Sequence, residues 1–257
     1  MRMNPPKGKV FFCLGILSLL LIPALACPQQ PSWSYKGENG PASWGKLNST
    51  YSTCSIGQTQ SPIDITGAKK SDLPALKFNY SSVPLNIIDN GHTIQVNYAP
   101  GSLLTVGDKT YSLKQFHFHH PSEEHVNGRA FDMVAHLVHA DAEGHLAVVA
   151  VFLQKGNANP LIGSVWANIP AEKERAVDVS GVTLNAKDLL PEDHGYYTFA
   201  GSLTTPPCSE GVTWYVLKSP MTLSDAQLAA FARLYPHNAR PIQPANGREI
   251  HMGGGTH

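Results

Sequence analysis

Three histidines are spaced so that they can meet. In Gln115-Phe116-His117-Phe118-His119 imidazoles alternate with aromatic rings, and a strand turns alternate side chains to opposite faces. His117 and His119 therefore share one face, while Phe116 and Phe118 anchor the other in a core. Two imidazoles so placed can converge on one ion, although such pairs also arise by chance. A third candidate, His136, stands between Ala135 and Leu137 in the apolar run Phe131–His139, where a lone histidine would have to be buried and satisfied. If the two strands are adjacent and antiparallel, His136 falls opposite the pair. Three neutral imidazoles with a fourth position open describe a catalytic zinc site rather than a closed structural one. His120 and His139 have the wrong parity to join them, and His145 follows Glu143-Gly144 in an expected turn. All three are expected at the surface.

The elements that must position these residues are short and rich in Val, Phe and Tyr. They are Leu85–Asp89, His92–Tyr98, Leu103–Val106, Gln115–His120, Phe131–His139, Leu146–Gln154 and Thr213–Leu217. Turn pairs such as Asn90-Gly91, Pro100-Gly101, Gly107-Asp108 and Asn127-Gly128 separate them. This pattern predicts a sheet protein, mostly β with short helices, whose middle strands are buried. One helix is legible. Ser224 can cap it, with Gln227 three residues on and Leu223 facing Leu228 as a hydrophobic staple. Pro236 stops it after about Leu234, and Leu228, Phe231 and Leu234 form an apolar stripe.

At the start of the chain, Arg2, Lys7 and Lys9 precede an apolar run from Val10 to Ala26 that closes on Ala24-Leu25-Ala26. These are the charged, apolar and small-residue parts of a secretory signal. The run is short for a spanning helix and carries Pro23 near its end. Residues 1–26 are therefore expected to be a signal peptide, and residues 27–257 a single domain exported to a periplasm or secreted. No second long apolar run follows, so no transmembrane span is expected in the mature chain. The whole chain carries 19 Lys+Arg against 19 Asp+Glu, and removing the signal leaves a slight acidic excess. That balance gives no electrostatic reason to expect nucleic acid as a partner. Cys13 lies inside the signal and Cys27 just after it, which leaves Cys54 and Cys208 as the natural disulfide pair of an exported protein. Cys27 is either a lipid anchor point or a free thiol on an arm, and Ala24 stands where lipoprotein signals usually carry Leu. The sequence is compatible with a monomer or a homodimer.

A set of short motifs now adds up. Trp33-Ser34-Tyr35 and Asn39-Gly40-Pro41 come first, then Gln60-Ser61-Pro62-Ile63-Asp64-Ile65, Asn90-Gly91-His92 and the strand Gln115 to His119. Ser122-Glu123-Glu124-His125, His136-Leu137-Val138-His139, Gly201-Ser202-Leu203-Thr204-Thr205-Pro206-Pro207 and Arg240-Pro241 follow. In this order and spacing they make the chain resemble an α-class carbonic anhydrase of the exported bacterial type, over nearly the whole mature sequence. The resemblance implies a large, mainly antiparallel twisted central sheet with a conical zinc site. It implies reversible hydration of carbon dioxide to bicarbonate and a proton, by attack of a zinc-bound hydroxide.

Residue by residue, His117, His119 and His136 match the zinc ligands. Thr204 matches the threonine that accepts from the hydroxide, and Glu124 is matched to the carboxylate that accepts from that threonine. His92 matches the proton shuttle, with Tyr35 and Asn90 ordering the intervening water. Val138, Val148, Leu203, Val212 and Trp214 match the apolar wall for the substrate, and Thr205 the position beside the product. One departure stands out. Two residues before the third ligand the family usually has a glutamate that hydrogen-bonds the imidazole from behind, and here Val134 stands there. A water or a backbone carbonyl is expected to substitute. Two other functions compete with this reading: a non-catalytic binding module, as in relatives that have lost zinc histidines, and a zinc esterase. The retained histidines, with Glu124 and Thr204, argue against the first. Weak esterase activity is expected of the same site and does not discriminate.

Overall fold

The computed structural model describes residues 32–255. The signal peptide expected over 1–26 and Cys27 lie outside the described residues. A 13-stranded sheet dominates. Its main path runs Val177–Leu184, Val83–Asp89, Ile94–Asn97, Lys109–His119, Met133–Ala140, Leu146–Lys155, Glu210–Leu217, Tyr196–Ser202, His251–Gly253 and Lys69–Lys70. The sheet is mixed. Leu146–Lys155 runs parallel to Glu210–Leu217 and to Met221–Leu223, and His251–Gly253 parallel to Lys69–Lys70. The other named pairs along the path are antiparallel.

Alternation explains why the central strands are apolar almost throughout. One face carries Ile87, Val96, Phe116, Phe118, Leu137, Val149 and Val151 into a large core closed by Leu161, Ile162 and Phe231. The other carries Val134, Val148, Ala150, Phe152, Trp214 and Val216 into a second core with Ile63 and Ile65. Strands covered on both faces lose the polar half of the alternation, as in Met133–Ala140 and Leu146–Lys155. The three histidines lie on the second face, at the edge of its core. His139 corrects an expectation. Its parity does put it on the face away from His136, but that face is core too, so it is buried. The Tyr80 hydroxyl lies 2.6 Å from its Nε2.

The expected helix spans Asp225–Leu234 with a complete capping box. Ser224 Oγ accepts from the Gln227 N–H at 3.2 Å, and Gln227 Oε1 accepts from the Ser224 N–H at 3.0 Å. Phe231 fills the core against Trp166, whereas Leu234 is 42% exposed and does not extend the buried stripe. Among the described residues no helix is long and apolar enough to cross a membrane.

Candidate active site

The strands Lys109–His119 and Met133–Ala140 are hydrogen-bonded neighbours, in a register that sets His117 directly opposite His136 and His119 opposite Val134. A register shift between Leu113 and Gln115 precedes this stretch. Each imidazole has one nitrogen engaged from behind. His117 Nδ1 meets Gln115 Oε1 at 2.8 Å, His119 Nδ1 donates to the Asn238 carbonyl at 2.7 Å, and His136 Nε2 donates to Glu124 Oε2 at 3.0 Å. What remains is Nε2 of His117 and His119 and Nδ1 of His136. One ligand nitrogen from each ring lies within 4.8 Å of the others. Burial pushes His119 down to about 4 and His136 to about 3, and His117 well below the usual histidine value. All three are therefore neutral at physiological pH, the form that ligates metal.

Two adjacent carboxylates meet the histidines, and the structure divides them: Glu123 Oε2 lies 3.4 Å from His119 Nε2 and 3.9 Å from His136 Nδ1, whereas Glu124 stands behind His136. Glu123 Oε1 accepts from the backbone N–H of Arg240 at 2.7 Å, and Thr204 is the side chain whose hydroxyl acts on this carboxyl. Glu124 uses Oε2 on His136, and its Oε1 receives no hydrogen bond. Thr204 thus acts electrostatically on Glu123 and not, as expected, on Glu124. Glu123 and Glu124 lie in a bend, where neighbouring side chains point in different directions, so a shift of one position exchanges the two roles. The expectation of a water or backbone carbonyl behind His136 is overturned as well, because Glu124 occupies that place. Burial raises Glu123 to about 7 and Glu124 to about 8, and a cation at the histidines would oppose both shifts.

His117 sits where two cavities meet. One, of about 230 Å³, is lined by Gln115, His136, Val138, Val148, Leu203, Thr204, Thr205 and Trp214. The other, of about 120 Å³, is lined by Trp33, Tyr35, Asn90, His92, Thr93, Gln95, His119 and Thr205. Among the expected wall residues Val212 is the exception. It is buried beside Trp214 and borders a separate groove with Leu146 and Ser209. His92 is half-buried in the turn before Ile94–Asn97, its ring stacked on Trp33 at 3.6 Å with planes 8° apart. Desolvation lowers its pKa. Asn90 Oδ1 accepts from the N–H groups of His92 and Thr93 and so shapes this turn.

The rim is clamped from outside. Cys54 and Cys208 are disulfide-bonded with their Cα atoms 5.0 Å apart. The Arg240 guanidinium binds Gln60, the Ser61 carbonyl and the Cys54 carbonyl, and the Cys208 N–H donates to the Thr205 carbonyl at 2.8 Å. A second metal-like group, Asp141, Glu143 and His145, is an exposed turn in which His145 binds Asp141.

A sequence model described as eukaryotic-type carbonic anhydrase matches residues 39–253. The chain belongs to this family. A carbonic anhydrase from Pectobacterium carotovorum is 46% identical over 246 residues, 95% of this chain and 99% of that one. A hyperthermostable carbonic anhydrase from a hydrothermal vent chimney superimposes with a TM-score of 0.83 at 46% identity, over 86% of this chain and 99% of that one. The α-carbonic anhydrase of Thermovibrio ammonificans, solved with the inhibitor sulfanilamide, gives 0.83 at 42%, over 86% and 98%. In this carbonic anhydrase three site residues escaped the sequence: Gln115, Glu123 and Asn238. Parity could have found Gln115, which shares the face of His117. Nothing local marks Asn238, whose side chain also binds the His92 and Phe118 carbonyls.

Proposed function

We propose that the chain catalyses the reversible hydration of carbon dioxide with zinc held by His117, His119 and His136. The observation that carries this is the convergence of three neutral imidazoles, with the buried Nε2 of His119 left without a hydrogen-bond partner. A donor set of three nitrogens with room for a fourth ligand suits catalytic zinc. Bound there, zinc lowers the pKa of water to about 7, a figure known from carbonic anhydrases themselves, and so supplies a nucleophile at neutral pH.

The side chains do the rest. An ionised carboxylate only accepts hydrogen bonds, so Glu123 requires Thr204 to donate to it. The threonine oxygen is then left to accept from the nucleophile and orient it. Val138, Val148, Leu203 and Trp214 offer an apolar seat to carbon dioxide, and Thr205 borders both cavities. The polar cavity leads to His92. An acid of pKa near 7 losing its proton to bare water is held to about 10³ s⁻¹, if recombination runs at roughly 10¹⁰ M⁻¹s⁻¹, so fast turnover calls for a group that ionises near neutrality. Export is supported by the pattern of residues 1–26 and by the Cys54–Cys208 disulfide. Residues 27–257 then form one catalytic domain.

Stopped-flow hydration with and without a zinc chelator tests the whole proposal. Catalysis should vanish with the zinc and return on adding it back, and full rate in zinc-free protein would refute it. Thr204→Ala and Glu123→Gln should each slow hydration by about 100-fold. Because the two act as a unit, the double variant should be little slower than either single one. His92→Ala should lower turnover in weak buffer by about 100-fold, with imidazole-type buffer restoring part of the loss. Unchanged turnover would mean that another group carries the proton.

A further inference from the structure

Position 134 is where a strand-borne carboxylate could support His136, since residues two apart share a face. Val134 is fully buried there, among Phe152, Ala150 and Trp214. The support comes instead from outside the strand. Glu124 Oε2 receives the His136 Nε2 hydrogen at 3.0 Å, with both side chains buried. We infer that Glu124 is the positioning residue for the third ligand, so that the hold on the metal depends on the segment 120–126 rather than on the strand that carries His136. The inference rests on the proposal that these histidines bind zinc.

The chemistry follows from the atoms. A carboxylate at Nε2 keeps the proton on that nitrogen, presents the Nδ1 lone pair inward and makes the ring more basic. Such partners typically alter metal affinity by about 10–100-fold. A residue outside regular structure can do this only if its backbone is held, and here it is. Ser122 Oγ donates to the Glu124 carbonyl at 2.9 Å and accepts from the Phe131 N–H at 2.9 Å. The His125 N–H donates to the Ile63 carbonyl, and His125-Val126 pairs in parallel with Asp64-Ile65. Glu123, next in the chain, is tied to the Arg240 N–H. One short segment thus supports both a ligand and the Thr204 partner. A merely buried carboxylate would be expected to gather several hydrogen bonds; Glu124 spends one oxygen on His136 and leaves the other without a partner.

The test compares zinc loss to a chelator in the parent, Glu124→Gln, Glu124→Ala and Glu124→Ala/Val134→Glu. Zinc content of the parent is measured first. If the parent binds none, the functional proposal fails, not this inference. Zinc should leave Glu124→Gln about tenfold faster and Glu124→Ala up to about 100-fold faster than the parent. The double variant should recover much of the difference, because its carboxylate returns from the strand. The visible spectrum of the cobalt-substituted protein should shift in Glu124→Ala and return toward the parent in the double variant, which a purely structural role for Glu124 would not produce. If the double variant does not fold, the two single variants and their cobalt spectra decide. Zinc loss at the parental rate from well-folded Glu124→Gln and Glu124→Ala, with unchanged spectra, would overturn the inference.

Discussion

His119→Ala should reduce zinc from about one ion per chain to a small fraction and cut carbon dioxide hydration by at least about 1,000-fold. Of the three imidazoles, His119 is held most firmly in its role. It is 1% exposed, its Nδ1 is committed to the Asn238 carbonyl, and its Nε2 makes no hydrogen bond, with Glu123 Oε2 3.4 Å away. Alanine leaves two nitrogens, too few to retain the ion against a chelator. The fold should survive, because the Phe116 and Phe118 side of the same strand still fills the large core. His145→Ala is the control, since it dismantles the exposed Asp141 cluster and should change neither zinc content nor rate. Metal analysis, circular dichroism and stopped-flow assays on both variants make the comparison. A folded His119→Ala protein with full zinc and full rate would refute the site.

Removing the disulfide should have the largest effect on stability. Cys54 and Cys208 are separated by 154 positions, and in the chain-entropy account a loop of that length contributes about 5 kcal/mol, with measured losses of about 2–5 kcal/mol in comparable cases. The cost should not be confined to the unfolded chain. Cys54 packs with Trp44 and Cys208 in a small core, and its carbonyl receives the Arg240 guanidinium. Arg240 in turn binds Glu123, the partner of Thr204. Cys54→Ser/Cys208→Ser should therefore unfold at a lower denaturant midpoint and also hydrate carbon dioxide more slowly while still folded. An unchanged midpoint would show that packing around Trp44 suffices alone.

The parts of this protein legible in its sequence are those governed by short-range periodicity. Alternation around His117 and His119 set their common face, because a strand has a period of two whatever surrounds it. The Ser224–Gln227 capping box and the stop at Pro236 are equally local, and both stand in the structure. Val177–Leu184 and Tyr196–Ser202 were not foreseen as strands. The first is an edge strand with most residues exposed and a register shift, so no buried face imposes a pattern on it. The second mixes aromatic with small and polar residues and shows no clear alternation, and its pairing with Glu210–Leu217 is broken by a register shift between Gly201 and Ser202.

Tertiary structure alone decided how two like neighbours share the work. Glu123 and Glu124 are chemically identical, and no rule of composition or spacing tells them apart. Their roles are set by what each meets, Arg240 and Thr204 for one and His136 for the other. Those partners lie 12 to 117 positions along the chain. His139 makes the same point from the other side. Parity removed it from the histidine cluster, but whether the opposite face met water or core depended on the residues that fold over it. Residue types and a local period select which side chains are able to hold a metal. The orientation of the groups behind them is a property of contacts between segments far apart in sequence, and only the folded chain brings those segments together.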